Sequence, residues 1–211
     1  MNLFKIYGNI GCGKSTLTEM LAEELGGILW IEPFEDNPFL SLFYGEMANI
    51  KEGQHNKYAL PLQLYFLTLY ISQNNSILEQ QNPLNIQDGG AFSGYAYTKT
   101  QFRKGMISQY EYDYFTTLFK VLRKSLDINY TTYYLDLDPQ EALSRIEKRA
   151  SEDPTRSQEN TIPLGYLEML DSCYKETFAE LDIPVEYIDI NGMSLQEEKE
   201  LFTNFISKML V

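Results

Sequence analysis

The sequence contains few of the residues that form metal centres or disulfide frameworks. Its 211 residues include two cysteines and one histidine, and their spacing matches no metal-binding pattern. One of the two, Cys12, lies inside a glycine-rich loop, so we expect no structural disulfide with Cys173. The single histidine, His55, has no patterned partner and is assigned no role.

Positive charge and long apolar runs are also scarce. Lys and Arg number 17 against 30 Asp and Glu, which gives a net charge of -13. No basic stripe is available for a phosphate backbone, so we expect no nucleic-acid partner. No run approaches the roughly 20 apolar residues of a transmembrane helix, and no leader-like segment opens the sequence. We therefore expect no membrane association and a cytoplasmic location.

The most informative stretch that is present reads G-x-x-x-x-G-K-S, the pattern of a phosphate-binding P-loop. A strand-like run precedes it and a helix-periodic segment follows, which is the context the motif requires. In such a loop, Lys14 reaches the β- and γ-phosphates and the Ser15 hydroxyl holds Mg²⁺. The predicted nucleotide-binding residues of the loop are Gly8, Asn9, Ile10, Gly11, Cys12, Gly13, Lys14, Ser15 and Thr16.

Strand and helix patterns alternate along the chain and predict an α/β fold in one domain, 1–211, with a five-stranded parallel sheet flanked by helices. The predicted strands are 3–7, 27–31, 84–88, 131–137 and 185–190. The predicted helices are 16–25, one that starts at Pro38 with Asn37 as its N-cap, 56–79, 92–102, 109–126, 139 to about 149, one from about 163 and one from about 195. A polar segment at about 150–160 is predicted to form a lid.

Two carboxylates lie where ligands of such sheets bind, outside the carboxyl ends of the strands. Glu32 follows the second predicted strand and could take a proton from an acceptor hydroxyl. Asp88 ends the third strand and could hold Mg²⁺. Either residue could instead be an ordinary turn carboxylate. Arginines at 145, 149 and 156 could fold over a transferred phosphate, or could lie on a solvated loop.

These segments together resemble the deoxynucleoside kinase family over nearly the whole chain. The loop is similar to the family's G-N-I-G-x-G-K-S/T, and Glu32-Pro33-Phe34 to its E-P-V element, whose Glu is the general base. The Asn37-Pro38-Phe39-Leu40 stretch resembles its N-P-x-L segment. The resemblance implies a P-loop kinase fold with a lid, ATP and Mg²⁺ as cofactors, and phosphorylation of a deoxynucleoside at its 5′-hydroxyl in nucleotide salvage.

The same resemblance implies roles for further residues. Tyr44 would contact the sugar 3′-hydroxyl, Gln63 would pair with the nucleobase, and Glu159 would be the lid glutamate at the 3′-hydroxyl. Catalytic roles fall to Glu32, Lys14, Arg149 and Arg156, metal ligation to Ser15 and Asp88, and nucleotide contact to Arg145 as well as the loop. A homodimer packed through the 56–79 helix and its neighbour is implied, and the N-P-F element favours a purine substrate.

Two departures from the family pattern leave the activity open. Gly89 stands where the family has an arginine beside the general base, and Tyr70 where many members carry another. Such arginines are worth about 10³- to 10⁵-fold in rate. Lys99, Arg103 or an extra lid arginine could substitute. The alternatives are a nucleoside monophosphate kinase and a catalytically impaired nucleotide-binding partner subunit.

Aromatic and acidic residues receive two smaller predictions. Trp30, Tyr65 and Phe92 are candidates for stacking on a nucleobase, while most other aromatic residues are expected in the core. Glu197 and Glu198 are expected on a solvated helix face.

Overall fold

The computed structural model describes residues 2–32, 34, 37–51, 53–80, 84–126, 130–152 and 159–209. Its sheet contains five strands, as predicted. They are β1 (Asn2–Gly8), β2 (Ile28–Trp30), β3 (Leu84–Asp88), β4 (Thr131–Asp136) and β5 (Val185–Asp189). All neighbouring strands pair in parallel, in the order β2-β3-β1-β4-β5.

The central strand β1 explains where the P-loop lies. Its apolar side chains Leu3, Ile6 and Tyr7 are almost fully buried, as expected for a parallel strand with helices on both faces. The register pairs Ile6 with Asp88 of β3 and Gly8 with Leu135 of β4. The loop that follows β1 therefore lies beside the carboxyl end of β3, where the order of strands reverses and ligands bind in such sheets.

Eight helices cover the sheet in the part of the chain that the structure describes. They are α1 (Lys14–Leu25), α2 (Leu40–Met47), α3 (Ala59–Glu79), α4 (Ala91–Arg103), α5 (Gln109–Leu126), α6 (Pro139–Glu152), α7 (Leu164–Glu180) and α8 (Leu195–Met209). None of these helices, over their described residues, is both long and apolar enough to cross a membrane.

Two asparagines shift helix starts from their predicted positions. The helix predicted from residue 56 begins at Ala59, because Asn56 accepts the N–H of Tyr58 at 3.0 Å and donates its amide to the carbonyl of Phe43 at 3.0 Å. Asn37 likewise accepts the N–H of Phe39 at 2.9 Å, so α2 begins only at Leu40. In both cases the side chain holds a turn before the helix.

The predicted lid segment is helical in its first part. α6 continues to Glu152, three residues beyond the predicted end at Arg149. Residues 159–161 form a short 3₁₀ turn. The intervening residues 153–158, which include Arg156, lie outside the described residues, so the prediction for Arg156 stays a prediction.

Candidate active site

The P-loop is shaped by glycines that tolerate no side chain. Gly11 has φ +83°, and a Cβ there would lie 2.7 Å from the carbonyl oxygen of Ala142. A Cβ on Gly8 would lie 2.5 Å from the sulfur of Cys12, which is fully buried beneath the loop. Asn9 ties the loop to α7 by donating its amide to the carbonyl of Leu167 at 2.9 Å. These contacts fix the backbone that must approach phosphate oxygens closely.

The side chain of Lys14 folds back over the backbone of the P-loop. Its ammonium donates to the carbonyl oxygens of Gly8 at 3.1 Å and Asn9 at 2.9 Å. Burial lowers the pKa of the Lys14 ammonium, but Cys12, Asp88 and Glu32 outweigh that effect and leave the pKa raised. The ammonium therefore remains charged and lies against the backbone of the P-loop, a position from which a lysine can neutralise bound phosphates.

Ser15 and Asp88 form the predicted metal-binding pair. The Ser15 hydroxyl donates to Oδ2 of Asp88 at 2.7 Å, while Oδ1 of Asp88 is buried without a hydrogen-bond partner. A hydroxyl and an unsatisfied carboxylate oxygen suit Mg²⁺, which prefers oxygen ligands and draws the remainder from water and substrate phosphates. Within the described residues no cluster of three or more His, Cys, Asp or Glu could hold a metal.

Glu32 lies at the carboxyl end of β2, on the cleft side, and accepts a hydrogen bond from the hydroxyl of Tyr70. Burial, together with the negative charge of Asp88, raises the pKa of Glu32 to about 7, although Tyr70 and Lys14 act in the opposite direction. A carboxylate with a pKa near neutrality is suited to accept a proton from a substrate hydroxyl.

The cleft that contains these groups takes in about 890 Å³, counting the space open to solvent. Tyr44, Gln63 and Glu159 all line it, as the resemblance implies for the nucleoside. Gln63 is only 2 % exposed. A Cβ on Gly94 would lie 3.9 Å from Oε1 of Gln63, at ordinary van der Waals distance, so Gly94 and this amide are neighbours in the cleft wall.

Two of the three predicted lid arginines, Arg145 and Arg149, lie among the described residues, and their surroundings differ. Arg149 lines the cleft and forms an ion pair with Glu159, so the structure brings these two predicted residues together. Arg145 does not line the cleft; it pairs with Glu141 at 2.8 Å and Glu198 at 2.6 Å. The expectation that Glu198 is solvated is wrong, because it is 4 % exposed and holds Arg145 against α8.

Lys99 and Arg103, two of the proposed substitutes for the missing arginines, do not line the cleft. Lys99 is 5 % exposed and pairs with Glu176 and Glu180 of α7, at 2.8 and 2.5 Å. Arg103 pairs with the same Glu176 at 2.6 Å. Both cations therefore join α4 to α7, and among described residues the cations lining the cleft are Lys14 and Arg149.

The three residues suggested for base stacking do not line the cleft either. Trp30 donates its indole N–H to Asn85 at 3.0 Å, Tyr65 packs edge-on against Phe39, and Phe92 is 1 % exposed in the core. The aromatic residues that line the cleft are Phe34, Phe43, Tyr44, Phe66, Tyr70, Tyr97 and Tyr166.

One face of α4 also contributes to the site, although no sequence motif marks these residues. Ser93, Gly94, Tyr97 and Gln101 line the cleft, with the spacing of one helical face. The sequence shows only that α4 mixes small and polar residues with aromatic ones, and the structure shows that most of them are buried. Such burial of polar groups indicates a cleft wall rather than an apolar core.

A P-loop, a serine–aspartate pair and a carboxylate at the next strand end, all on one cleft of a parallel sheet, define a P-loop phosphotransferase. The model of the family described as "Deoxynucleoside kinase" matches residues 4–210. The chain therefore belongs to the deoxynucleoside kinase family.

Individual relatives agree with this assignment. The chain is 32% identical over 180 residues to a deoxyguanosine kinase of Dictyostelium discoideum, which covers 83% of this chain and 58% of that protein. It is 26% identical over 216 residues to the deoxyadenosine/deoxycytidine kinase of Bacillus subtilis, covering 99% of this chain and 91% of that protein. The structure of a deoxyadenosine kinase from M. mycoides with bound dCTP superimposes with a TM-score of 0.78 at 25% identity, covering 99% of this chain and 100% of that chain.

Proposed function

We propose that this chain transfers the terminal phosphoryl group of ATP to the 5′-hydroxyl of a deoxynucleoside. The observation that carries the proposal is the meeting of Lys14, the Ser15–Asp88 pair and Glu32 on one cleft, which also contains the buried amide of Gln63. Phosphoryl transfer to an alcohol requires groups that bind the phosphates, residues that hold the metal ion, and a general base.

Each of these groups has one task in the proposed reaction. Lys14 neutralises charge on the β- and γ-phosphates while the backbone N–H groups of the loop hold them. Ser15 and Asp88 would hold Mg²⁺, which supplies charge neutralisation at the phosphates when bound. Glu32 accepts the proton of the 5′-hydroxyl, and its pKa of about 7 allows a fraction of the carboxyl groups to be ionised at neutral pH.

The nucleoside is proposed to occupy the part of the cleft lined by Gln63, Tyr44 and Glu159. Gln63 pairs with the nucleobase, and the other two contact the sugar 3′-hydroxyl. Arg149, now paired with Glu159, turns to the transferred phosphate when Glu159 engages the sugar. A purine base is favoured by the N-P-F element, and relatives that match the chain are named deoxyguanosine and deoxyadenosine kinases.

The experiment incubates the purified protein with MgATP and, separately, each of the four deoxynucleosides and their monophosphates, and follows ADP release. We expect turnover with at least one deoxynucleoside, and loss of that turnover in Glu32→Gln and Lys14→Ala. Glu19→Gln, on the exposed face of α1, is the control for loss of one negative charge. Absence of turnover with every deoxynucleoside would contradict the proposal.

Two other functions give different results in this assay. A nucleoside monophosphate kinase would phosphorylate only monophosphates, but it needs cations for the acceptor phosphate. The described residues of the cleft supply Lys14 and Arg149, both assigned to the transferred phosphate. A catalytically impaired partner subunit would bind ATP without turnover; Gly89, in place of an arginine, is the observation that favours it.

A homodimer is proposed through α3 and α5, which pack against each other. The solvent side of α5 carries three exposed apolar residues at spacings of four and seven, Tyr110, Tyr114 and Val121, and such a stripe on one helical face is typical of an interface. We expect a dimer in sedimentation equilibrium at micromolar concentration and a monomer for Val121→Glu, whereas Lys120→Glu on the same helix should remain dimeric. A monomeric wild-type protein would exclude the interface.

A further inference from the structure

Tyr70 is the residue of α3 that contacts the proposed general base. Its side chain is 1 % exposed, and its ring stacks on that of Phe66 with a centroid distance of 6.3 Å and an angle of 25° between planes. The hydroxyl donates to Oε1 of Glu32. The ring is thus held by packing and the hydroxyl by the carboxylate, so the hydrogen bond has a fixed direction.

Gly89 provides the space in which this hydroxyl lies. A Cβ at residue 89 would lie 3.2 Å from the hydroxyl oxygen of Tyr70, 3.3 Å from Oγ of Ser93 and 3.7 Å from Oε1 of Glu32. The backbone of Gly89 also has φ +71°, a conformation that residues with a side chain adopt only with strain. Any side chain at residue 89 would therefore compete with the Tyr70 hydroxyl for its place beside Glu32.

A second residue of α3 holds the backbone next to Glu32. Gln73, one turn after Tyr70, donates its amide to the carbonyl of Ile31 at 2.7 Å and accepts the amide N–H of Gln87 at 2.9 Å. This support matters because β2 is an edge strand of three residues that pairs only with β3. One face of α3 therefore fixes both the main chain before Glu32 and its carboxylate.

The charged and titratable groups that face Glu32 come from several elements. Asp88 at the end of β3 and Lys14 of α1 act on its carboxyl group with opposite sign. Tyr7, Tyr97 and Tyr174, on β1, α4 and α7, are close enough to interact with it electrostatically. Of these groups and Tyr70, only Tyr70 forms a described hydrogen bond to Glu32.

We propose that Tyr70 is a positioning residue for Glu32 and that Gly89 is glycine because the Tyr70 hydroxyl occupies the space a side chain would fill. The inference rests on the proposed function. The hydrogen bond engages Oε1 and orients the carboxylate so that its other oxygen can accept the proton of the 5′-hydroxyl. The hydroxyl of a neutral tyrosine thus holds the base, and a glycine leaves room for it, at two places where the resemblance implies arginines in family members.

The first test is kinetic. Tyr70→Phe removes the hydroxyl and keeps the ring, so we expect kcat to fall about 10- to 100-fold, with both KM values changed less than about two-fold, because misplacing a reacting group by about 1 Å costs up to about 10²-fold in rate. Tyr134→Phe is the matched control: Tyr134 is also buried and donates to a carboxylate, Asp171, at 2.8 Å outside the cleft. Its kcat should be unchanged.

The second test is a double-mutant cycle with Gly89→Ala. We expect Gly89→Ala alone to lower kcat, and to lower it much less when Tyr70→Phe has already removed the hydroxyl, because two variants acting through one contact are not additive. Gly192→Ala controls for backbone strain, since Gly192 has φ +68° with open space around it. Wild-type kcat in Tyr70→Phe, or multiplicative losses in the double variant, would overturn the inference.

A third measurement does not depend on turnover. In ¹³C-labelled protein, the Cδ resonance of Glu32, assigned by its absence in Glu32→Gln, should shift in Tyr70→Phe and stay in place in Tyr134→Phe. An unmoved resonance overturns the positioning role even if the wild-type protein phosphorylates nothing. Lack of wild-type turnover together with a shifted resonance would refute the proposed function and leave the Tyr70–Glu32 contact established.

Discussion

Replacing the proposed base, Glu32→Gln, is expected to stabilise the protein while it abolishes turnover. The pKa of Glu32 is raised from its ordinary value of 4.5 to about 7, first by burial and then by Asp88. The folded state therefore keeps a proton that the unfolded state releases between these values, so stability falls as pH rises through this window. Each pKa unit corresponds to about 1.4 kcal/mol, so the cost of ionised Glu32 approaches about 3 kcal/mol above pH 7.

The assay is urea unfolding of wild type and Glu32→Gln, in the absence of nucleotide and Mg²⁺, at pH 5 and pH 8. The amide of Gln resembles the protonated carboxyl and can still accept from Tyr70. We expect the variant to gain about 3 kcal/mol at pH 8 and about 1 kcal/mol at pH 5, from the same linkage. Glu19→Gln, an exposed glutamate of α1, corrects for removing one negative charge from a chain of net charge -13.

Equal gains at both pH values would refute the reasoning, since the burial and repulsion that raise the pKa must also appear as a pH-dependent loss of stability. A Glu32 carboxyl that titrates near 4.5 by ¹³C NMR would refute it directly. A gain in the free energy of unfolding is expected when the replaced active-site group lies in an environment that suits reactivity rather than stability.

Three further changes test the loop and the lid. Lys14→Ala should abolish measurable ATP binding in calorimetry, with the fold retained by circular dichroism, because it removes the ammonium above the phosphate loop. Gly11→Ala should cost about 2 kcal/mol or more in urea unfolding, since its φ of +83° and a nearby carbonyl exclude a Cβ, whereas Gly192→Ala, with open space, should cost about 1 kcal/mol. Arg149→Ala should lower kcat about 10³-fold in the ADP-release assay, and Lys148→Ala, exposed beside it, should not.

Much of the fold could be predicted because its signals are local. The parallel sheet follows from alternating strand and helix patterns, and α5 lies at its predicted residues, 109–126. The starts of α2 and α3 were displaced because Asn37 and Asn56 hydrogen-bond across their own turns, which periodicity does not reveal. The fold's topology then places the P-loop beside the end of β3, as ligand-binding crevices in such sheets require.

The residues of the candidate site that belong to sequence motifs could be predicted. The ion-pair partners of long side chains could not. The P-loop, Glu32 and Asp88 come together because strand ends meet at one edge of the sheet. From the sequence alone, Lys99 could extend toward the cleft or toward α7. In the structure it pairs with Glu176 and Glu180, which lie about 80 positions away along the chain. Long-range ion pairs of this kind have no periodic signature, and the same holds for Arg145 with Glu198.

The buried cysteine of the loop has a consequence for how the protein responds to oxidants. Burial raises the pKa of the Cys12 thiol, and only the thiolate reacts readily with peroxides or alkylating reagents. The buried surroundings of Cys12 therefore keep the thiol of the P-loop unreactive. Because Cys173 is buried as well, the rate at which iodoacetamide labels the native protein should report transient opening of the structure, and it should slow when nucleotide closes around the loop.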